Sequence, residues 1–156
     1  MPISTTTLFL ATEADTLALG AALAPCLHGG MVVYLSGELG AGKTTLARGI
    51  LRALGHSERV KSPSFALVEP YKLSKLYLYH FDFYRFTNPR ELEEAGFREY
   101  FNPDAVCLVE WPENAIGMLP AADLTIRIAM AGTGRQAEIG SGSEAGELCI
   151  RNLKQR

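Results

Sequence analysis

The octet Gly37-Glu38-Leu39-Gly40-Ala41-Gly42-Lys43-Thr44 constrains this chain more than any other stretch. It satisfies G-x-x-x-x-G-K-[ST], the pattern of a phosphate-binding loop, which works only between a strand leading in and a helix leading out. Gly37, Gly40 and Gly42 let the backbone curl tightly and turn its N–H groups toward an anion. Lys43 is a compact charge on a long stem, able to reach outer phosphates. The Thr44 hydroxyl is a hard oxygen donor of the kind Mg²⁺ prefers.

The flanking sequence supplies both elements. Residues 31–35 are an apolar, β-branched run ending at Ser36, the pattern of a buried strand. Beyond the loop, from Thr45 on, Leu46, Ile50 and Leu54 recur at helical spacing until Gly55 stops them. That helix brings the partial positive charge of its N-terminus to the loop. Elsewhere, periodicity predicts helices at 13–27, 89–95 and from 143 toward 153. Strands are expected at 66–68, 76–81, 106–109, 124–130 and 137–140, with turn signals in Ala131-Gly132-Thr133-Gly134 and around Gly140 to Ser143. The fold expected is α/β: a three-layer, P-loop NTPase-like domain with a mixed, mostly parallel central sheet, spanning residues 1–156 as one unit.

Composition narrows the partners. With 47% hydrophobic and 21% charged residues, the chain has the make-up of an ordinary globule. The first ten residues lack the pattern of a signal peptide and no apolar run approaches membrane-spanning length, so a cytoplasmic location is expected. The net charge is -2 and the lysines and arginines form no run, which disfavours direct, tight gripping of nucleic acid. The three cysteines, Cys26, Cys107 and Cys149, have no metal-ligand spacing, and Cys107 reads as a small buried hydrophobe.

A phosphate loop needs an acid from a neighbouring strand to hold Mg²⁺, directly or through water. Glu110 follows four consecutive apolar residues and Asp82 closes an aromatic-rich run, so both are placed at strand ends where such sheets bind ligands. Glu110, with the cleaner apolar approach, is assigned the metal, and Asp82 the attacking water. The bland alternative for each is a solvated carboxylate closing a strand. Ser64, in Ser62-Pro63-Ser64-Phe65, reads either as a switch hydroxyl near the terminal phosphate or as a plain Ser-Pro turn. His80 shares a strand face with Asp82 but reads as structural, and Tyr77, Tyr79, Phe81 and Phe83 read as sheet packing. Trp111, the single tryptophan, is either core or a lid and partner surface.

Taken in order and spacing, the loop through Thr45, Lys61-Ser62-Pro63-Ser64, His80-Phe81-Asp82-Phe83-Tyr84-Arg85 and Leu108-Val109-Glu110-Trp111-Pro112 resemble the TsaE (YjeE) family over nearly the whole chain. That family consists of small bacterial ATPases required for threonylcarbamoyladenosine in tRNA, next to the anticodon. The resemblance implies that ATP and Mg²⁺ are bound, with phosphate contacts along residues 37–45, Lys43 and Asp82 catalytic, and Thr44 and Glu110 holding the metal. It implies that Trp111 supports full activity and that Glu13 and Arg135 approach the nucleotide base. At Ser64 the family usually has threonine, so the hydroxyl is kept and a methyl lost. The implied partners are the transferase TsaD and its companion TsaB. Turnover alone is expected to be slow, because no motif positions an arginine finger, Arg85 being the nearest. A nucleotide-gated assembly switch and a small-molecule kinase are the competing readings. A GTPase is disfavoured by the absence of D-x-x-G and N-K-x-D motifs.

Overall fold

The structure, a computed structural model, describes residues 3–60, 67–86, 88–94 and 96–154. Seven strands form one sheet: β1 (Thr5–Leu10), β2 (Val32–Ser36), β3 (Val68–Lys72), β4 (Tyr77–Asp82), β5 (Ala105–Glu110), β6 (Leu124–Ala131) and β7 (Gly134–Ser141). Among the described residues four α-helices accompany them: α1 (Glu13–Leu23), α2 (Lys43–Ala53), α3 (Pro89–Glu94) and α4 (Glu144–Lys154). The spatial order is β1-β7-β6-β2-β5-β4-β3. The four central strands, β6, β2, β5 and β4, run parallel, and antiparallel strands flank them on both sides. Among the described residues no helix is long and apolar enough to cross a membrane.

Residue alternation divides the core into two layers. Val33, Leu35, Leu78, Val106, Leu108, Leu124 and Ile126 pack beneath α1, α2 and α4, with Leu46, Ile50 and Leu51 from α2 fully buried. Burial of each such side chain stabilises the fold by about 1.5–3 kcal/mol. Phe81, Phe83, Cys107 and Val109 point the other way, into an aromatic cluster with Phe86, Leu92 and Phe97. Phe81 stacks on Phe101 at 5.2 Å and meets Tyr100 edge-on at 5.7 Å. The aromatic stripe of β4 is packing, as its period of two implies. Burial pushes the Cys107 thiol up to about 12, so it stays an unionised hydrophobe.

Helices α1 and α2 meet backbone to backbone. A Cβ on Gly49 would lie 2.4 Å from the Leu17 carbonyl oxygen, and one on Gly20 would lie 2.6 Å from that of Leu46. The start of α1 is held by a capping box: the Thr12 hydroxyl accepts from the Asp15 N–H at 3.2 Å, and the Asp15 carboxylate accepts from the Thr12 N–H at 3.1 Å.

Several boundaries differ from the sequence reading for physical reasons. The helix expected to reach residue 27 ends at Leu23 and tightens into a 3₁₀ turn at Ala24–Cys26, because Pro25 has no N–H to continue the ladder. Strand β1 was not anticipated: Thr5-Thr6-Thr7-Leu8-Phe9-Leu10 alternates poorly, since an edge strand need bury little. The strand expected at 66–68 lies instead at Val68–Lys72, Ala66 being outside the described residues; Pro70 is tolerated there because β3 is an edge. The strand expected at 137–140 spans Gly134–Ser141, so Gly140 belongs to a strand and not to a turn.

Candidate functional site

The phosphate-loop motif joins the end of β2 to the start of α2. Gly37 has φ 140°, and a Cβ there would sit 2.3 Å from the Ile128 carbonyl oxygen, so no other residue lets the loop leave the sheet this close to β6. Gly42, at φ 112°, is the N-cap of α2 and offers no side chain to bond the first-turn N–H groups. The dipole of a helix at such a terminus favours a negative charge there. Within the loop the Ala41 N–H donates to the Glu38 carbonyl at 3.1 Å. Leu39 is exposed at the loop's tip, while Thr44 and Thr45 are half-buried in the first turn of α2.

Lys43 is buried, with its Nζ donating to the Gly37 carbonyl at 2.5 Å and lying 4.0 Å from the centroid of the Trp111 ring. Burial pulls its pKa below the usual lysine value, and the carboxylates of Glu110, Asp82 and Glu113 push it back up. A cation and three acids therefore share one corner of the molecule. The sheet register explains this: β4 and β5 are parallel neighbours, and Asp82 pairs with Glu110 at their carboxyl ends. Glu110 in turn lies one register step from β2, opposite Leu35.

Asp82 is half-buried and its Oδ1 accepts from the Tyr84 N–H at 3.0 Å. Desolvation raises its pKa; Glu110 adds to the rise, while the Tyr84 bond, His80 and Lys43 oppose it. Glu110 is buried, and its Oε2 lies 2.5 Å from His80 Nε2. His80, which reads as structural in the sequence, contacts the acid assigned there to the metal. Its period-two spacing from Asp82 was the available signal.

Trp111 is the sole non-glycine residue with positive φ among those described, at 56°. A left-handed conformation costs an ordinary side chain about 1–2 kcal/mol. Contacts with Lys43 and with Tyr84, ring to ring at 5.1 Å, hold it there. Strain of this kind collects at functional sites.

On the other flank of the loop, Arg135 binds loop carbonyls: Nε to Ala41 at 3.0 Å and Nη2 to Gly40 at 3.3 Å. The antiparallel pairing of β1 with β7 sets Leu10 opposite Arg135. Glu13, at the start of α1, pairs with Arg48 at 3.4 Å on the surface. Glu13, Thr16, Thr45, Thr133 and Arg135 line a cavity of about 360 Å³ with Gly40 to Gly42. The fold thus brings Glu13 and Arg135 together beside the loop; Thr16 and Thr133 were not singled out from sequence and carry no local signal. A larger cavity, about 800 Å³, opens at the opposite ends of the strands around Lys72, Lys75 and Asp104, away from every loop residue. Chemistry and not size selects between the two. Ser64 lies outside the described residues.

The donor set fits Mg²⁺. Thr44 and Glu110 offer oxygens only, and among the described residues no cluster of three or more His, Cys, Asp or Glu forms a self-sufficient cage. Mg²⁺ is held in this sparing way when water and substrate phosphates complete its shell.

Comparison with known proteins agrees with this architecture. The family model described as threonylcarbamoyl adenosine biosynthesis protein TsaE matches residues 10–137. A Haemophilus influenzae protein named tRNA threonylcarbamoyladenosine biosynthesis protein TsaE is 47% identical over 120 residues, covering 77% of this chain and 76% of that one. A Bacillus subtilis protein of the same name is 41% identical over 118 residues, covering 76% and 73%. The crystal structure of Bacillus subtilis YdiB superposes with a TM-score of 0.84 at 31% identity, covering 97% of this chain and 95% of the other. On sequence and on fold alike, the chain belongs to the TsaE family.

Proposed function

We propose that this chain binds ATP with Mg²⁺ and hydrolyses it slowly, in the service of threonylcarbamoyladenosine formation on tRNA. The observation that carries the reading is the pairing of Asp82 with Glu110 across β4 and β5, beside a Lys43 already buried at the phosphate loop. The names of the relatives carry the biological setting.

In this mechanism the loop amides and Lys43 bind the β- and γ-phosphates, the ammonium exchanging its bond to the Gly37 carbonyl for phosphate oxygens. Asp82 accepts a hydrogen bond from the attacking water and orients it; a carboxylate made more basic by burial suits that task. Lys43 and the N–H groups of α2 stabilise the charge that spreads over the γ-phosphoryl oxygens. Thr44 and Glu110 hold Mg²⁺, which supplies electrostatic neutralisation of the phosphates. Glu13 and Arg135 border the cavity assigned to the nucleoside. TsaD and TsaB, implied by family resemblance, are the partners through which the chain acts, in a cytoplasmic setting.

The contact between Lys43 and Trp111 favours a second reading, a nucleotide-gated assembly switch. When Lys43 turns to phosphate, Trp111 loses one of the contacts that hold its strained backbone. The surface presented by that residue then depends on the nucleotide.

Calorimetric titration with ATP·Mg²⁺ and GTP·Mg²⁺ tests the main reading. ATP is expected to bind in preference, and Lys43→Ala to weaken binding about 10–100-fold, the worth of charged hydrogen bonds. Equal affinity of the variant and the parent would refute it.

A further inference from the structure

His80 is fully buried on β4, an expensive place for an imidazole. Alternation along β4 places it on the face shared by Leu78 and Asp82, beneath the layer that contains α2. The register sets His80 opposite Leu108 and Asp82 opposite Glu110, so the imidazole reaches diagonally along the sheet to Glu110. That bond is 2.5 Å between Nε2 and Oε2, and both side chains are shielded from water.

The second ring nitrogen shows what the residue is for. Nδ1 is buried and makes no hydrogen bond among the described residues. An unpartnered buried nitrogen destabilises a fold, and a leucine, as at the neighbouring positions 78 and 108, packs without that cost. The core therefore gains nothing from an imidazole here, whereas Glu110 gains a donor. Where Glu110 is ionised, as a metal ligand must be, its oxygen accepts and Nε2 is the donor of this bond.

We propose that His80 is a positioning residue: its Nε2–H holds Oε2 of Glu110, restricts the carboxylate to one orientation, and leaves Oε1 for the divalent cation or its water. The inference rests on the ATP·Mg²⁺ reading above and extends it from the metal's own ligands to the group that orients one of them. Residues that orient ligands in this way are worth roughly 10–100-fold in metal affinity.

The test compares the parent chain, His80→Leu and His80→Gln by calorimetric titration with ATP, with and without Mg²⁺, alongside thermal melts. The expected result is that His80→Leu folds, binds Mg²⁺-free ATP as the parent does, and loses roughly 10–100-fold of the affinity gained with Mg²⁺. His80→Gln, whose amide N–H extends about as far as Nε2, restores most of that gain. A full Mg²⁺ gain in His80→Leu overturns the proposal. So does an equal loss of affinity with and without Mg²⁺, accompanied by a lower melting temperature, because that is the behaviour of a packing residue. Failure of the parent to bind ATP under either condition defeats the nucleotide reading itself and the proposal with it.

A second readout needs neither nucleotide nor metal. The ¹⁵N spectrum of the labelled imidazole in the unliganded chain, assigned by its loss in His80→Gln, is expected to show the proton on Nε2. A proton on Nδ1 alone overturns the proposal even if His80→Leu does not fold.

Discussion

Asp82 ionises against a cost, because half-burial at the end of β4 pushes its carboxyl above the usual 3.8, with Glu110 adding to the rise. The protonated group is thus favoured by folding. Its contribution to stability is full below pH 3.8 and is lost as the pH rises through the raised folded value. At neutral pH the ionised side chain destabilises the fold it serves. Asp82→Asn keeps an oxygen acceptor for the Tyr84 N–H and removes the ionisation. It is expected to melt above the parent at pH 7, with the difference shrinking as the pH falls toward 3.8. Hydrolysis in the same variant is expected to drop about 10²–10⁴-fold, the usual worth of a positioned acid or base. Melting curves across that pH range, together with phosphate release, check both halves. A variant that hydrolyses normally would remove Asp82 from the mechanism.

Among the helices, α1 and α2 meet most closely, with glycines at the point of nearest approach. Gly49 sits against the Leu17 carbonyl and Gly20 against the backbone of Leu46 and Ile50. In an isolated helix, glycine to alanine gains about 1 kcal/mol. Here Gly49→Ala drives a methyl to 2.4 Å from a backbone oxygen, so the helices must separate. A net loss of about 1–3 kcal/mol is expected from overpacking, read as a lower urea midpoint. Because α1 also carries Glu13 and Thr16 into the cavity beside the loop, nucleotide affinity is expected to fall in parallel. A Gly49→Ala chain as stable as the parent would show that this packing is looser than its geometry implies.

At the scale of the whole molecule, the parallel centre of the sheet gathers its chemistry at one edge. The carboxyl ends of β2, β4 and β5 deliver the loop, Asp82 and Glu110, while the hairpin of β6 and β7 carries Arg135 to the loop's other flank. Among the described residues Arg85 is exposed, and Arg135 is occupied with the loop carbonyls. In phosphate-loop proteins an arginine supplied by a partner to the transition state is worth about 10³–10⁵ in rate. Hydrolysis by the isolated chain is therefore expected to be slow and to rise on addition of TsaD and TsaB. An unchanged rate in the mixture would count against a partner-completed site.

Local chemistry made part of this protein readable from its residues. A glycine loop with Lys43 and Thr44, an apolar approach to Glu110 and helical spacing of Leu46 and Ile50 each reflect forces acting within a few residues, so the loop, its strand and its helix were evident. The β4 aromatics followed from alternation, and the buried Cys107 from the apolar run around it. Longer-range relations were not legible. Strand β1 exists because β7 offers it an edge, the position of α1 depends on the meeting of Gly20 with α2 and of Gly49 with Leu17, and Arg135 reaches the loop only through a hairpin. The bond between His80 and Glu110 is of the same kind, created by the register of two strands whose residues are 30 apart in sequence. Sequence determined which groups the site contains, because composition and spacing are local; tertiary structure decided which of them touch, because strand order and register are set by the packing of the entire sheet.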